Sequence, residues 1–291
     1  MRKDFAAFIL THGRPDNVIT YKTLRRDGYT GDIFIVIDDE DDTADAYHKR
    51  YGDEVLTFNK AEIATTFDTG DLSTRDRLSI VYARNAVWKL AEQVGVRYFI
   101  QLDDDYTAFS YKMVGVKHDA ARPDYWHGWK LKRLDAVFEM MLVFLEQTPT
   151  KSIALVQGGE QIGGASSHMG LWKLKRKAMN SFICDVERPF TFVGRINDDV
   201  NTYVQQGATG SLFFTYSALR LDQIATQDNP GGMSSTYRDT GTYIKSFYSV
   251  MYAPSSVTIR TIGFVSPRLH HRVHWNHAVP KIVAETHRRL K

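Results

Sequence analysis

The sequence predicts an α/β protein with a central, mainly parallel sheet flanked by helices, and three observations point there. Phe5–Leu10 (FAAFIL), Ile33–Ile37 (IFIVI) and Tyr98–Leu102 (YFIQL) are apolar at nearly every position, the pattern of strands covered on both faces. Stretches with apolar residues at helical spacing separate them, giving the strand–helix–strand alternation of a parallel sheet. Each run ends in a polar or acidic turn, THGRPD, DDEDD or DDD. In open α/β sheets ligands bind beyond the carboxyl ends of the strands.

In chain order, the first strand leads through the turn at Thr11 to Asp16 into a helix over Asn17 to Arg26. The second strand is followed by a short helix, Ala44 to Tyr51, and a third strand, Glu54 to Phe58. Lys60 to Arg77 is polar and reads as loop. Ser79 to Gln93 carries Ile80, Ala83, Val87, Leu90 and Ala91 on one helical face and stops near Gly95, feeding straight into the acidic strand. Leu134 to Leu145 is a strongly apolar helix closed by Thr148-Pro149, and Ile153 to Val156 a short strand. Gly158-Gly159-Glu160-Gln161-Ile162-Gly163-Gly164 gives backbone freedom where a ligand must approach closely. From about Phe190 the pattern is less regular, with strands expected at Leu212 to Tyr216 and Val257 to Ile262.

A chain of 291 residues with 43% hydrophobic and 24% charged content is an ordinary globular protein. Cys184 stands alone, which excludes an intrachain disulfide and a cysteine metal site and fits a reducing compartment. The apolar run near the N-terminus is too short for a signal peptide, and no stretch approaches the ~20 apolar residues of a membrane span. A soluble cytoplasmic protein is expected. The net charge of +3 is too mild to indicate nucleic acid by itself.

Chemistry is expected at Asp103-Asp104-Asp105. Asp103 and Asp105 are two apart and share a side of an extended chain. Acids delivered by a buried strand repel one another unless compensated, and two such carboxylates suit a hard divalent cation, Mn²⁺ or Mg²⁺. The plain alternative is a solvated acidic turn. A second pair, Asp198-Asp199, lies in Asn197-Asp198-Asp199, and the tail Arg268-Leu269-His270-His271-Arg272-Val273-His274-Trp275-Asn276-His277 holds four of the ten histidines.

Taken in order, the acid pair after a central strand, the later glycine loop, the second acid pair and the histidine-rich end resemble the GT-A fold of sugar-nucleotide-dependent glycosyltransferases. Within it, the chain resembles the bacteriophage DNA glycosyltransferases associated with TET/JBP oxygenases. The turn Thr11 to Pro15, the acids Asp103 to Asp105, and the closing segments 268–271 and 275–281 carry that resemblance over essentially the whole chain. It implies a single domain, 1–291, with a nucleotide-sugar half at 1–110 and an acceptor half with the histidine segment at 111–291.

The resemblance implies the following roles. Asp103 and Asp105 hold the metal, with His271, or failing that His270, as a further ligand; the ion neutralises the leaving diphosphate. Thr11, Gly13, Arg14, Asp38, Asp104, Gly158 and Gly159 surround the donor, a UDP-sugar, although Arg14 also suits a structural ion pair. Arg84 reaches the diphosphate or orients the acids. Asp199 is the candidate base for an inverting transfer, with Asp198 orienting the acceptor; in a retaining enzyme Asp199 positions the sugar instead. The implied acceptor is a hydroxymethylated pyrimidine in phage DNA, modified in the host cytoplasm. Lys130, Lys132 and Arg133 beside Trp126 and Trp129, with Lys173, Lys175 and Arg176 after Trp172, suit phosphate contact and base stacking. The competing readings are a glycan or protein acceptor, a metal-dependent nuclease or phosphoesterase using the same acids, and a binding protein on a decayed scaffold.

Overall fold

The computed structural model describes residues 1–70, 79–114, 126–157, 172–173, 178, 180–224, 244–262, 267–280, 282 and 285. The chain begins with β1 (Phe5–Leu10), α1 (Ile19–Arg26), β2 (Asp32–Asp38), α2 (Ala44–Tyr51) and β3 (Val55–Phe58). Next come α3 (Lys60–Ala64), α4 (Val81–Gln93), β4 (Tyr98–Asp103), β5 (Tyr106–Val114), β6 (Trp126–Lys130) and α5 (Leu134–Gln147). The rest comprises β7 (Thr150–Gln157), β8 (Trp172–Lys173), β9 (Ser181–Asp185), α6 (Asp198–Ala208), β10 (Leu212–Gln223), a helix α7 over 244–252, β11 (Val257–Ile262), β12 (Arg268–Val273) and α8 (Trp275–Ala278).

Ten strands form one sheet in the order β3-β2-β1-β4-β9-β7-β10-β5-β6, with β8 on β10. The pairings of β3, β2, β1 and β4 are parallel, as is that of β7 with β10. β9 is antiparallel to both its neighbours, and β5 to both of its own. The sheet is therefore mostly parallel in direction, and it crosses the 110/111 boundary because β9, β7 and β10 lie between β4 and β5. A second, two-stranded sheet is made by β11 and β12.

Both faces of the parallel half are covered, which is why its strands read as unbroken apolar runs. All six residues of β1 are buried. Phe5, Ala7 and Ile9 enter one core with residues of α1, α2 and α5; Ala6, Phe8 and Leu10 enter a second with residues of α4 and α6. α5 is held by Phe138, Met141, Leu142 and Leu145, all wholly buried.

Several stretches differ from expectation, and two of them bear on the site. Lys60 opens a short helix inside the presumed loop: the Asn59 side chain accepts from the Glu62 N–H at 2.7 Å, the N-cap arrangement that Asn-x-x-Glu signals. Residues 198–208, where no regular pattern was read, form α6 with acids in its first turn, where the helix dipole favours them. Among the described residues no helix is long and apolar enough to cross a membrane.

Candidate active site

The parallel register of β1 and β4 sets Leu10 against Asp103, so the turn after β1 and the acids after β4 emerge side by side. Thr20, wholly buried in α1, fastens the acidic turn by its backbone. Its hydroxyl donates to the Asp103 carbonyl at 2.6 Å and accepts from the Tyr106 N–H at 2.9 Å, and its own N–H donates to the Asp104 carbonyl at 3.0 Å. The middle acid is then fixed by its side chain. Asp104 accepts from Thr11 Oγ1 at 2.7 Å and pairs with Arg14 Nη1 at 3.1 Å. Tyr47 completes this knot, its hydroxyl 2.8 Å from Thr11 Oγ1 and 2.8 Å from the Arg14 N–H. Arg14 thus makes the structural ion pair that was its alternative reading, and it does so with a donor-site candidate.

The second acid pair reaches the first through Arg84. This is the largest wholly buried side chain of the described residues. From α4 its Nη2 donates to Asp103 Oδ1 at 3.0 Å and to Asn180 Oδ1 at 3.1 Å, while Nε lies 2.8 Å from Asp198 Oδ2. The guanidinium also sits over Phe182 and Phe192, 5.3 and 5.7 Å from their ring centres. Residues nearly a hundred positions apart are joined by one cation. Two non-glycine residues with left-handed backbone flank it, Asn180 (φ 33) and Asn197 (φ 57), a conformation that asparagine tolerates better than most side chains.

The compensation is incomplete. Burial, against the pull of Arg84 and with Asp105, Asp198 and Asp104 nearby, pushes the Asp103 carboxyl up to about 8. Burial and the charge of Asp104 raise Asp105 to about 6. Burial, opposed by Arg84 and helped by Asp199, raises Asp198 to about 6. Burial raises Asp104 as well, despite Arg14 and Thr11. Asp105 Oδ1 and Arg84 Nη1 are buried without a hydrogen-bond partner among the described residues. Protons held at this strength, and a carboxylate oxygen with nothing to accept from, fit a site that a divalent cation completes.

At the ends of β1 and β2 the charges are matched. Asp38 accepts from Lys60 Nζ at 3.1 Å and lies 2.9 Å from His12 Nδ1; Asp41 accepts from the Gly13 N–H at 2.8 Å. Burial works against the Asp38 carboxylate, yet His12 and Lys60 outweigh it and lower its pKa. The hydrogen bond to Asp38 in turn raises His12 against burial. Gly13 has φ 70, and a Cβ there would meet nothing within 4 Å, so the turn keeps open space above the strand end.

Of the residues singled out from the sequence, Thr11, Arg14, Asp103, Asp104, Asp105, Arg84 and Asp198 form one connected group, with Asp199 acting on Arg84 electrostatically. His271 is linked to it indirectly: Asn197 Nδ2 lies 3.3 Å from His271 Nδ1. His270 stacks edge-on against His271, ring centres 4.3 Å apart. Among the described residues no three His, Cys, Asp or Glu side chains stand together as metal ligands, so the pair Asp103 and Asp105 is not gathered with either histidine. Lys130 is exposed beside exposed Trp129, which lies opposite Tyr111 across β5 and β6. Lys132 and Arg133 follow β6 near the end of α1. Lys132 Nζ is 3.6 Å from Asp27, and Arg133 is the N-cap residue of α5. Lys173 pairs with Thr215 by its backbone in β8. Gly158, Gly159, Lys175 and Arg176 lie outside the described residues.

Sequence reasoning missed His12, Asp41, Lys60, Thr20 and Asn180. His12 sits inside the turn that was quoted, and the Asn59 cap could have moved Lys60 onto a helix. Nothing local marks Thr20 or Asn180, whose roles depend on distant partners.

A family model described as TET-Associated Glycosyltransferase matches residues 5–232. No curated protein matches the sequence. Among solved structures, glucosyl-3-phosphoglycerate synthase from Mycobacterium tuberculosis in complex with Mn²⁺, UDP and phosphoglyceric acid aligns with a TM-score of 0.45 at 8% identity, over 93% of this chain and 87% of that one. The same enzyme in complex with Mn²⁺, UDP-glucose and glycerol 3-phosphate gives 0.41 at 10% identity, over 91% and 86%. Likenesses of this strength say nothing of chemistry.

Proposed function

The chain belongs to the TET-associated glycosyltransferase family and is a nucleotide-sugar-dependent glycosyltransferase; on that premise we propose that it moves a sugar from a UDP-sugar to 5-hydroxymethylcytosine, or a related hydroxymethylpyrimidine, in phage DNA within the host cytoplasm. The observation that carries the reading is the under-compensated acid group around Arg84, at the sheet edge where a charged donor is received. Asp103 and Asp105 would hold a Mn²⁺ or Mg²⁺ ion, which when bound supplies charge neutralisation for the departing diphosphate.

This chain's own groups do the rest. Arg84 keeps Asp103 and Asp198 at fixed separation, and its Nη1 hydrogen is the donor left for a phosphate oxygen. Asp104 is committed to Thr11 and Arg14 and serves by stiffening the turn, while His12, Gly13 and Asp38 border the space for the nucleoside. Asp198, held by Arg84, orients the acceptor. Asp199 takes the proton from its hydroxyl if the anomeric centre is inverted, or positions the sugar if it is retained. Lys130 with Trp129 offers phosphate and stacking contact to the DNA around a flipped-out base.

The test uses purified protein, Mn²⁺, a panel of UDP-sugars, and 5-hydroxymethylcytosine DNA beside unmodified DNA, with nucleosides read by mass spectrometry and Asp105→Ala as control. The expected result is a sugar mass on the modified base alone, lost in the variant. Unshifted DNA alongside UDP-sugar hydrolysis moves the acceptor to a glycan or protein. DNA cleaved without any donor overturns the transferase reading of the site.

A further inference from the structure

Two glutamine side chains meet at the sheet edge beside the acids. Gln157 is the last residue of β7 and Gln223 the last of β10, and these strands run parallel. Gln223 pairs with Tyr106 of β5, the residue after Asp105, and the next N–H, that of Ile224, donates to the Asp105 carbonyl at 3.3 Å. The two amides are joined: Gln157 Nε2 donates to Gln223 Oε1 at 3.0 Å, and also to the Tyr106 hydroxyl at 3.4 Å.

The orientation of both amides follows from a chain of donors. The Asn180 carbonyl can only accept, so the single hydrogen of the buried Tyr106 hydroxyl goes to it, at 2.8 Å. The Tyr106 oxygen is left as an acceptor, and Gln157 must turn its NH₂ toward it. Both Nε2 hydrogens are then spent, on Tyr106 and on Gln223 Oε1. What remains is an acceptor, Gln157 Oε1, and a donor, Gln223 Nε2. Neither atom has another hydrogen-bond partner among the described residues. Gln157 is 6% exposed, so its oxygen is held in one place with little water to turn to, the condition of a polar group that reads a ligand. The Asn180 side chain in turn accepts from Arg84, so the amide pair and the Arg84 bridge share one anchor.

The position says which part of a ligand meets them. Along the sheet the order β2-β1-β4-β9-β7-β10 runs from the Asp38 and Gly13 turns, past Asp103 and Asp105, to the two amides. A nucleotide-sugar with its nucleoside at β1 and β2 and its diphosphate at β4 extends its sugar toward β7 and β10. A sugar hydroxyl both donates and accepts. One hydroxyl can give its hydrogen to Gln157 Oε1 while another takes one from Gln223 Nε2. We propose that Gln157 and Gln223 form the subsite for the donor sugar and set its specificity through two of its hydroxyls. This role rests on the donor reading given above and is independent of the acceptor.

Calorimetric titration tests it without any acceptor. Mn²⁺-loaded protein is titrated with UDP and with each of a panel of UDP-sugars, as wild type, Gln157→Met and Gln223→Met; methionine keeps the length of glutamine and removes its polar atoms. The expected result is an affinity at least tenfold weaker for the best-bound UDP-sugar in each variant, with affinity for UDP within twofold. Gln223 is only half-buried, so its variant carries the test should Gln157→Met not fold. Equal losses for UDP and UDP-sugar, or none for either, overturn the subsite. Wild-type protein that binds UDP but no UDP-sugar overturns it as well, and protein that binds neither overturns the donor reading beneath it. Donor binding as expected with DNA left unmodified supports the subsite and removes only the DNA acceptor.

Discussion

Two carboxylate groups stand at the same edge of one sheet and are treated in opposite ways. At the ends of β1 and β2, Asp38 is matched by Lys60 and His12 and ionises more readily than a free aspartate. At the ends of β4 and the start of α6, Asp103, Asp104, Asp105 and Asp198 share Arg84 and Arg14, and all four hold protons more tightly than free aspartates. Burial is common to both groups, and each has two cations; the number of carboxylates those cations must serve is what differs. The first group is complete as a structural unit. The second is built short of positive charge, which is the condition of a site that meets a cation or a proton during its work.

The largest break in this comparison is expected from Arg84→Met. Removing the shared cation leaves Asp103 and Asp198 buried and facing each other, and loss of one partner of a buried ionic group costs about 3–5 kcal/mol. Urea unfolding should show that loss, and lowering the pH toward 5 should recover part of it by protonating the acids. Lys60→Met strikes the matched group, where His12 remains to serve Asp38. About 2 kcal/mol is expected there, with no recovery on acidification. Equal losses with equal pH behaviour in the two variants would erase the distinction.

Asp105→Asn should act with the opposite sign. It removes charge from the over-supplied group, so stability at pH 8 is expected to rise by about 1 kcal/mol, discounted from the shift because the residue is partly exposed. Transfer activity should fall at least 100-fold, and the thermal stabilisation produced by Mn²⁺ should disappear. A stability loss of the Lys60→Met size would mean that Asp105 is a structural partner.

The pH profile without metal sharpens the comparison further. Folded Asp103 and Asp105 keep protons up to about 8 and about 6, whereas unfolded aspartates release theirs near ~3.9. The folded state then binds more protons across that window, so stability falls as pH rises from ~4 toward 8. Mn²⁺ should flatten the fall. His12 adds a shallow step of its own. With its folded pKa raised, its contribution is whole below ~6.5 and lost as pH climbs through the folded value. His12→Gln should erase that step and leave the rest of the slope. The contribution of Asp38, with its pKa lowered, is present above ~3.9 and lost as pH falls through the folded value.

Much of this was legible without coordinates. Phe5–Leu10, Ile33–Ile37 and Tyr98–Leu102 announce themselves because strands covered on both faces must be apolar throughout, and that pattern is local. The acids at 103–105 and the Thr11 to Pro15 turn were likewise visible as residue types at the ends of such elements, whereas Arg84 was read on the helix before β4 and Asp198 through the family resemblance. β9 escaped notice although wholly buried, because it is only five residues long and its partners, β4 and β7, lie well upstream in the chain.

The sequence by itself determined the sheet's parallel half and the inventory of charged groups at its edge, since periodicity and strand ends are properties of short segments. Only the tertiary structure decided how those charges are shared: that Arg84 bridges Asp103 and Asp198, that Lys60 and His12 serve Asp38, and that Asn197 faces His271. Each of these depends on which distant segments are brought within 3 to 4 Å, and electrostatic compensation in a buried site is settled at that range.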